Sequence, residues 1–273
     1  MMAMRSQRAW AAQHIPIGLQ LYTVRSLFQG GLPALFKQIR SIGYEEVETV
    51  GDLYQHPAPE LRSMIQDAGL TVPAGHFDYK TFPDRLAYAK ELGVKWAVCP
   101  SIPQPQTPSL DTFHTAARQF NQWAKLARDQ GMGFAYHNHD FEFRNFAGET
   151  GGGKTGYDVL IEETDPALVC FEVDCYWVAQ AGIDPLQLLH RLKQRARLLH
   201  LKDRKPGFPP SNDTGPSSAH FTEVGQGTIA WKPLLETAKR IGVEYYFVEQ
   251  DKTDGPPLES IATSYKYLRT QIS

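Results

Sequence analysis

Residues able to hold a metal or move a proton recur in this chain at one kind of place, the end of a short apolar run. Gln20 and Tyr22 end IPIGLQLYT, Glu48 sits in YEEVETV, and His76 lies near the end of LTVPAGHF. MGFAYHNHDF ends in His137, Asn138, His139 and Asp140, with Glu142 just beyond. PALVCFEVDCYW carries Asp174, then Tyr176 and Trp177. ARLLHLKD ends in His200, Lys202 and Asp203, and VEYYFVEQD in Glu249, Gln250 and Asp251. A charged group at the end of a buried strand costs several kcal/mol unless it is paired or bound to metal. Carboxylates or imidazoles ending four consecutive runs therefore converge on one place. Glu, Asp, His and Glu form an oxygen-rich set suited to one divalent ion: Mn2+, Mg2+, Co2+ or Zn2+.

Each residue also has a plainer role. Asp174 can cap the turn that follows it. His200 can be a hydrogen-bonded core histidine, and Glu249 can form a structural ion pair with Lys202. Strand alternation puts His137 and His139 on one face. One or both then bind substrate hydroxyls or stand behind the ligands. Trp177, Tyr22 and Phe141 suit an apolar wall under a sugar ring, and suit core packing equally.

The elements that must position these residues alternate along the whole chain. Eight short apolar runs are each followed by helix or helix-like sequence, and several helices end on Gly before the next run, as αβ connections do. Continuous apolar strands fit a parallel sheet covered on its outer face. The first run is followed by TVRSLFQGG, without the GxGxxG of an open dinucleotide-binding sheet. Eight units in about 250 residues favour a single-domain (β/α)8 TIM barrel, class α/β, over residues 15–273. Residues 1–14 read as a frayed tail. RNFAGETGGGKTG lacks P-loop spacing and reads as a loop, with YDVLIEE a poor helix after it. KPGFPPSNDTGPSSAH is a second long loop.

Composition narrows the function classes. The formal net charge is -2, without the basic footprint of a nucleic-acid binder. No apolar stretch approaches a membrane span. Three cysteines without a CxxC pair speak for packing residues in a reducing cytosol. A periplasmic location follows only if MMAMRSQRAWAAQ is the stub of an export signal.

YHNHDFEF, DPALVCFEVDCYWVAQAG, LLHLKD, EVGQGTIAW and YFVEQD together resemble the sugar phosphate isomerase/epimerase superfamily of xylose isomerase-like barrels. The resemblance runs from about Gly18 to the C-terminus, and the order and spacing of the motifs carry it. It implies one divalent metal held by Glu, Asp, His and Glu. The last three fall on Asp174, His200 and Glu249. For the first, Glu142 is expected, with His137 or His139 as the alternative.

The resemblance also implies chemistry in which a metal grips vicinal oxygens of a sugar or polyol and stabilises an enediolate. Glu249 is then the base. Glu142 returns a proton for epimerisation or isomerisation, or His139 protonates a leaving group for elimination. Gln20, Tyr22, Glu48, His76, His137, Trp177 and Lys202 are expected to bind substrate. EVGQG is expected to bring backbone close to the site. Isomerisation or epimerisation of a ketose is the first reading and dehydration of a keto-sugar or inosose the second. A metal-dependent hydrolase or endonuclease would need two or three ions, and a non-catalytic sugar-binding barrel none. Barrels of this kind often form homo-oligomers, but no self-complementary surface is readable here.

Overall fold

A computed structural model describes residues 14–104, 109–146, 153–212 and 220–271. The expected tail lies outside these residues, apart from His14, whose Nε2 is 2.7 Å from Glu45 Oε1. Parts of both long loops also lie outside.

Eight parallel strands close into a barrel. They are β1 (Gly18–Gln20), β2 (Glu46–Thr49), β3 (Thr71–His76), β4 (Trp96–Cys99), β5 (Gly133–His137), β6 (Val169–Asp174), β7 (Ala196–Leu201) and β10 (Tyr245–Val248), each hydrogen-bonded to its sequence neighbours, with β10 closing onto β1. Helices α1 (Leu32–Ile42), α2 (Ala58–Asp67), α3 (Phe82–Leu92), α4 (Leu110–Asp129), α5 (Gly156–Glu163), α7 (Pro185–Leu192), α8 (Trp231–Ile241) and α9 (Pro257–Gln271) cover the strands. The eight-unit barrel expected from the sequence is the observed fold.

Three local features differ from the sequence reading. The chain after β1 winds as a 3-10 helix over Leu21–Gly30. YDVLIEE is helical after all, because Thr155 and Asp158 form a reciprocal capping box that satisfies the first turn. A short helix, α6 (Cys175–Gln180), and a two-stranded antiparallel pair, β8 (Asp203–Arg204) with β9 (Phe221–Thr222), decorate the site end of the barrel.

The alternation of strand residues builds two separate cores. Val47, Phe134, Phe171, Leu199 and Val248 belong to the large core that includes the helices. Ala74, Val98, Ala135, Leu198 and Phe247 form their own cluster, packed by Trp96, Cys170 and Tyr245. This second cluster is the barrel interior, where large rings and small residues must share a narrow space. A Cβ at Gly18 would lie 2.4 Å from the Phe247 ring, and one at Gly133 2.5 Å from Trp96. Glycine at both positions makes room for those rings. The apolar plug fills the lower interior and leaves the upper interior to polar side chains.

Glu46, at the start of β2, is the acidic exception low in the barrel. Burial, and then the neighbouring Glu45 charge, push its carboxyl up to about 7. The folded value lies above the ordinary 4.5, so its contribution to stability is present below pH 4.5 and lost as pH rises to 7. Glu46→Gln should flatten that slope and stabilise the protein at pH 8 by about 1–2 kcal/mol, allowing for partial exposure. Urea unfolding at pH 5 and pH 8 checks this; equal pH slopes in the two proteins would refute it.

Candidate active site

Above the apolar plug, two layers of ionisable side chains fill the barrel mouth. Strand register creates them. Asp174 pairs with His200 across β6 and β7, Glu172 with His137 across β5 and β6, and Glu48 with Gln20 across β1 and β2. All six are buried.

The lower layer centres on two carboxylates. Glu172 Oε2 accepts from His76 Nε2 at 2.7 Å and lies 3.2 Å from both His137 Nδ1 and His200 Nε2. Glu48 Oε2 accepts from His200 Nε2 at 2.7 Å and from Gln20 Nε2 at 2.8 Å. The upper layer contains Asp174, Glu249, Asp251 and Lys202. Lys202 Nζ lies 2.5 Å from Glu249 Oε2, 2.7 Å from Asp251 Oδ1 and 3.0 Å from Asp174 Oδ2. His200 joins the layers, with Nδ1 2.9 Å from Glu249 Oε2.

Mutual pairing makes this burial tolerable. Burial alone would strip His200 and Lys202 of their protons. The Glu172 and Glu249 charges instead hold His200 well above its ordinary pKa, and Asp174, Asp251 and Glu249 do the same for Lys202. Burial would likewise raise Glu249, but Lys202 and His200 hold it well below the usual carboxylate range. Asp174 goes the other way: desolvation, only partly offset by Lys202, raises it to about 6. His139 is depressed to about 3 by burial and then by the Lys202 charge.

The plainer readings and the ligand readings coexist in single residues. Asp174 Oδ1 caps α6 by accepting from Trp177 N at 3.0 Å. That bond fixes the carboxylate, and Oδ2 points into the cluster, where it pairs with Lys202 Nζ at 3.0 Å. Glu249 does pair with Lys202, and His200 is a fully buried, fully partnered histidine.

Two overlapping sets of ligand atoms lie within 4.8 Å of one another: His137, Asp174, His200 and Glu249 above, and His76, His137, Glu172 and His200 below. Glu142 is in neither set. Its buried carboxylate accepts from Tyr136 Oη and, at 3.0 Å, from His139 N. Burial raises it to about 8. The residue expected as first ligand is thus tied down behind β5. His139 also stands outside both sets, stacked on Phe141 at 5.9 Å and tilted against Trp177 at 5.4 Å between ring centroids.

A cavity of about 350 Å³ opens onto the upper layer. Tyr22, His76, His137, His139, Lys202 and Glu249 line it, joined by Asp52, Asp78, Ser101 and Asp251. Gln20, Glu48 and Trp177, expected to touch substrate, do not line it. Gln20 and Glu48 lie in the lower layer, and Trp177 lies 5.5 Å beneath Lys202 Nζ, measured to the ring centroid.

Sequence reasoning missed Glu172 and the role of Asp203. The first was findable: Glu172 and Asp174 are two apart in FEVD, so both face the barrel interior. Asp203 accepts from the backbone N of Arg204, Gly225, Gly227 and Ile229 and from Trp231 Nε1 at 2.7–3.2 Å. The glycines of EVGQG therefore let backbone close on Asp203. A Cβ at Gly227 would lie 2.2 Å from Asp203 Oδ1.

Comparison with known proteins agrees with this architecture. The family model for the xylose isomerase-like TIM barrel matches residues 36–271. The chain belongs to that family. Its relatives include an inosose dehydratase of Geobacillus thermodenitrificans, 31% identical over 259 residues that span 81% of this chain and 83% of the relative. Among solved structures, two sugar phosphate isomerase/epimerase proteins of Parabacteroides distasonis superpose closely. One has a TM-score of 0.79 at 24% identity, covering 93% of this chain and 98% of its own. The other has a TM-score of 0.76 at 26% identity, covering 96% of each. This xylose isomerase-like barrel thus has both dehydratase and isomerase/epimerase proteins among its named neighbours.

Five donors on one buried carboxylate make Asp203 the anchor of the loop before α8. Asp203→Ala should cost about 3 kcal/mol, because it leaves buried donors unsatisfied. It should also speed amide exchange at Gly225, Gly227 and Ile229. Denaturant unfolding with residue-resolved hydrogen exchange checks both effects; unchanged protection at those amides would count against the anchor.

Proposed function

We propose that this barrel is a divalent-metal-dependent lyase that eliminates water from a keto-polyol of the inosose type. The observation that carries the reading is the Lys202–Glu249 pair facing the cavity beside His137, Asp174 and His200, with Glu142 turned away.

The upper set fits a metal. Its two nitrogen and two oxygen donors, on four buried side chains with ligand atoms within 4.8 Å of one another, suit zinc, manganese or cobalt. His137, Asp174, His200 and Glu249 are the ligands we assign, with His137 in the place expected of Glu142. The lower set shares His137 and His200; we assign a single ion, to the upper set, because Glu249 and His137 of that set line the cavity. When bound, the ion supplies a Lewis acid that polarises a ketone oxygen and acidifies the adjacent C–H.

The chain's own residues do the rest. The Glu249 carboxylate, held deprotonated by Lys202, takes the proton from the carbon beside the ketone. The Lys202 ammonium, oriented by Asp174 and Asp251, balances the negative charge that develops on oxygen. The hydroxyl on the next carbon departs with the proton that Glu249 has taken, leaving as water, so one carboxyl serves both half-steps. Neutral His139 and Tyr22 hold substrate hydroxyls at the cavity wall. Epimerisation by the pair Glu249 and Glu142 would need Glu142 in the cavity, and its partners Tyr136 and His139 N keep it out. The inosose dehydratase relative supports elimination as well. The three free cysteines are in keeping with a reducing cytoplasm, and among the described residues no helix is long and apolar enough to cross a membrane.

Protein purified without chelator should hold one equivalent of divalent metal by elemental analysis. Because His200 must lose its proton to serve as a ligand, metal uptake should release protons and weaken as pH falls. Titration with Mn2+ at pH 6 and pH 8 in weak buffer reads both, and pH-independent binding would contradict the assignment.

Incubated with a keto-inositol in D2O, the loaded enzyme should give a dehydrated product by NMR. Glu249→Gln should lower kcat by about 10²–10⁴. Recovery of a deuterated epimer with no loss of water would replace the lyase with an epimerase.

A further inference from the structure

The HNH run at the end of β5 holds one residue that the chemistry above does not use. Asn138 stands between two histidines that line the cavity and is itself wholly buried. A buried side-chain amide needs partners at both its ends. Asn138 Nδ2 donates to His139 O at 3.3 Å, within its own turn. Asn138 Oδ1 accepts from Asp174 N at 3.1 Å, across on β6.

Strand register shows what the second bond replaces. Gly133 N donates to Lys95 O on the β4 side. Backbone groups alternate along a strand, so Gly133, Ala135 and His137 turn theirs toward β4, and Phe134, Tyr136 and Asn138 toward β6. The β5–β6 register ends with His137 opposite Glu172. Two residues further on, Asp174 N would meet the Asn138 backbone carbonyl. The chain there is already turning into the 3-10 segment Phe141–Phe143, and the Asn138 side-chain oxygen takes the bond instead. The β5–β6 ladder is thereby extended by one rung, at the level of the site.

From this we infer that Asn138 is a positioning residue that holds Asp174 in the upper set. The inference rests on the metal reading of that set. Asp174 is gripped at three points: its N by Asn138, its Oδ1 by Trp177 N at 3.0 Å, and its Oδ2 by Lys202 Nζ at 3.0 Å. The Trp177 bond lies within the Asp174–α6 turn and the Lys202 pair reaches across to β7. Asn138 is the grip that ties Asp174 to β5, the strand of His137, whose Nε2 lies 3.9 Å from Asp174 Oδ2. Without it a buried N–H is left unpaired, and the spacing between these two ligands loses the rung that sets it.

NMR on metal-free, isotopically labelled wild type tests the bond itself. A long-range HNCO experiment should correlate the Asp174 amide with Asn138 Cγ through the hydrogen bond. Correlation with the Asn138 backbone carbonyl, or none, would overturn the inference whether or not any variant folds. In Asn138→Ala the Asp174 amide should exchange about 10-fold faster, and Mn2+ binding by calorimetry should weaken about 10- to 100-fold. Asn138→Asp keeps an acceptor oxygen at the same reach and should restore most of both. An alanine variant that is merely less stable, with wild-type exchange at Asp174 and wild-type Mn2+ affinity, would overturn the positioning role, and an aspartate variant as weak as alanine would count against it. Failure of wild type to bind any metal would instead sink the metal reading, and the metal-free correlation and exchange would still judge Asn138.

Discussion

The mouth of this barrel depends on opposite charges buried together. Glu48, Glu172, Asp174 and Glu249 are all at or near full burial, and so are His200 and Lys202. Any one of them alone in that space would be ruinous, since an unpaired buried charge costs several kcal/mol. Together they satisfy one another. The arrangement holds only because the strands that carry them are locked in register, and that register rests on the apolar plug of Phe247, Trp96 and their small neighbours below. The packing of the lower interior and the chemistry of the upper interior are parts of one construction.

That interdependence explains what the sequence could and could not reveal. Repeated apolar runs and glycine-ended helices are local signals, and they were enough for the eight-stranded barrel. That Asp174, His200, Lys202 and Glu249 meet in one place was legible because each ends an apolar run. Glu142 lies in a turn past β5, where no strand periodicity dictates which way its carboxylate points, so its position outside both sets was not legible. Its direction is set by the Tyr136 hydroxyl, from the outward face of the strand, and by its own turn's backbone. YDVLIEE looked too weak for a helix because the capping box that starts it is worth more than the run's propensity. Glu172 was visible by alternation but was passed over inside an apolar run.

Two residues show why a structural role and a functional role need not compete. Asp174 uses one oxygen to cap α6 and offers the other to the site. Lys202 is neutralised by three carboxylates and still lines the cavity. In both, the structural contact holds the side chain in the position that its chemistry needs, which lowers the ordering cost at the moment of reaction.

The clasp at Asp203 has a different kind of consequence. Beyond Lys202 the chain leaves the barrel, pairs β8 with β9, and comes back through Gly225 and Gly227 to the same carboxylate. The two roots of the excursion are thus tied together independently of what lies between Arg204 and Phe221. Lengthening a loop whose ends are already joined adds little entropic cost. A change of length between the two roots therefore costs the clasp little, because Asp203 and the β8–β9 pair hold them together whatever the path between.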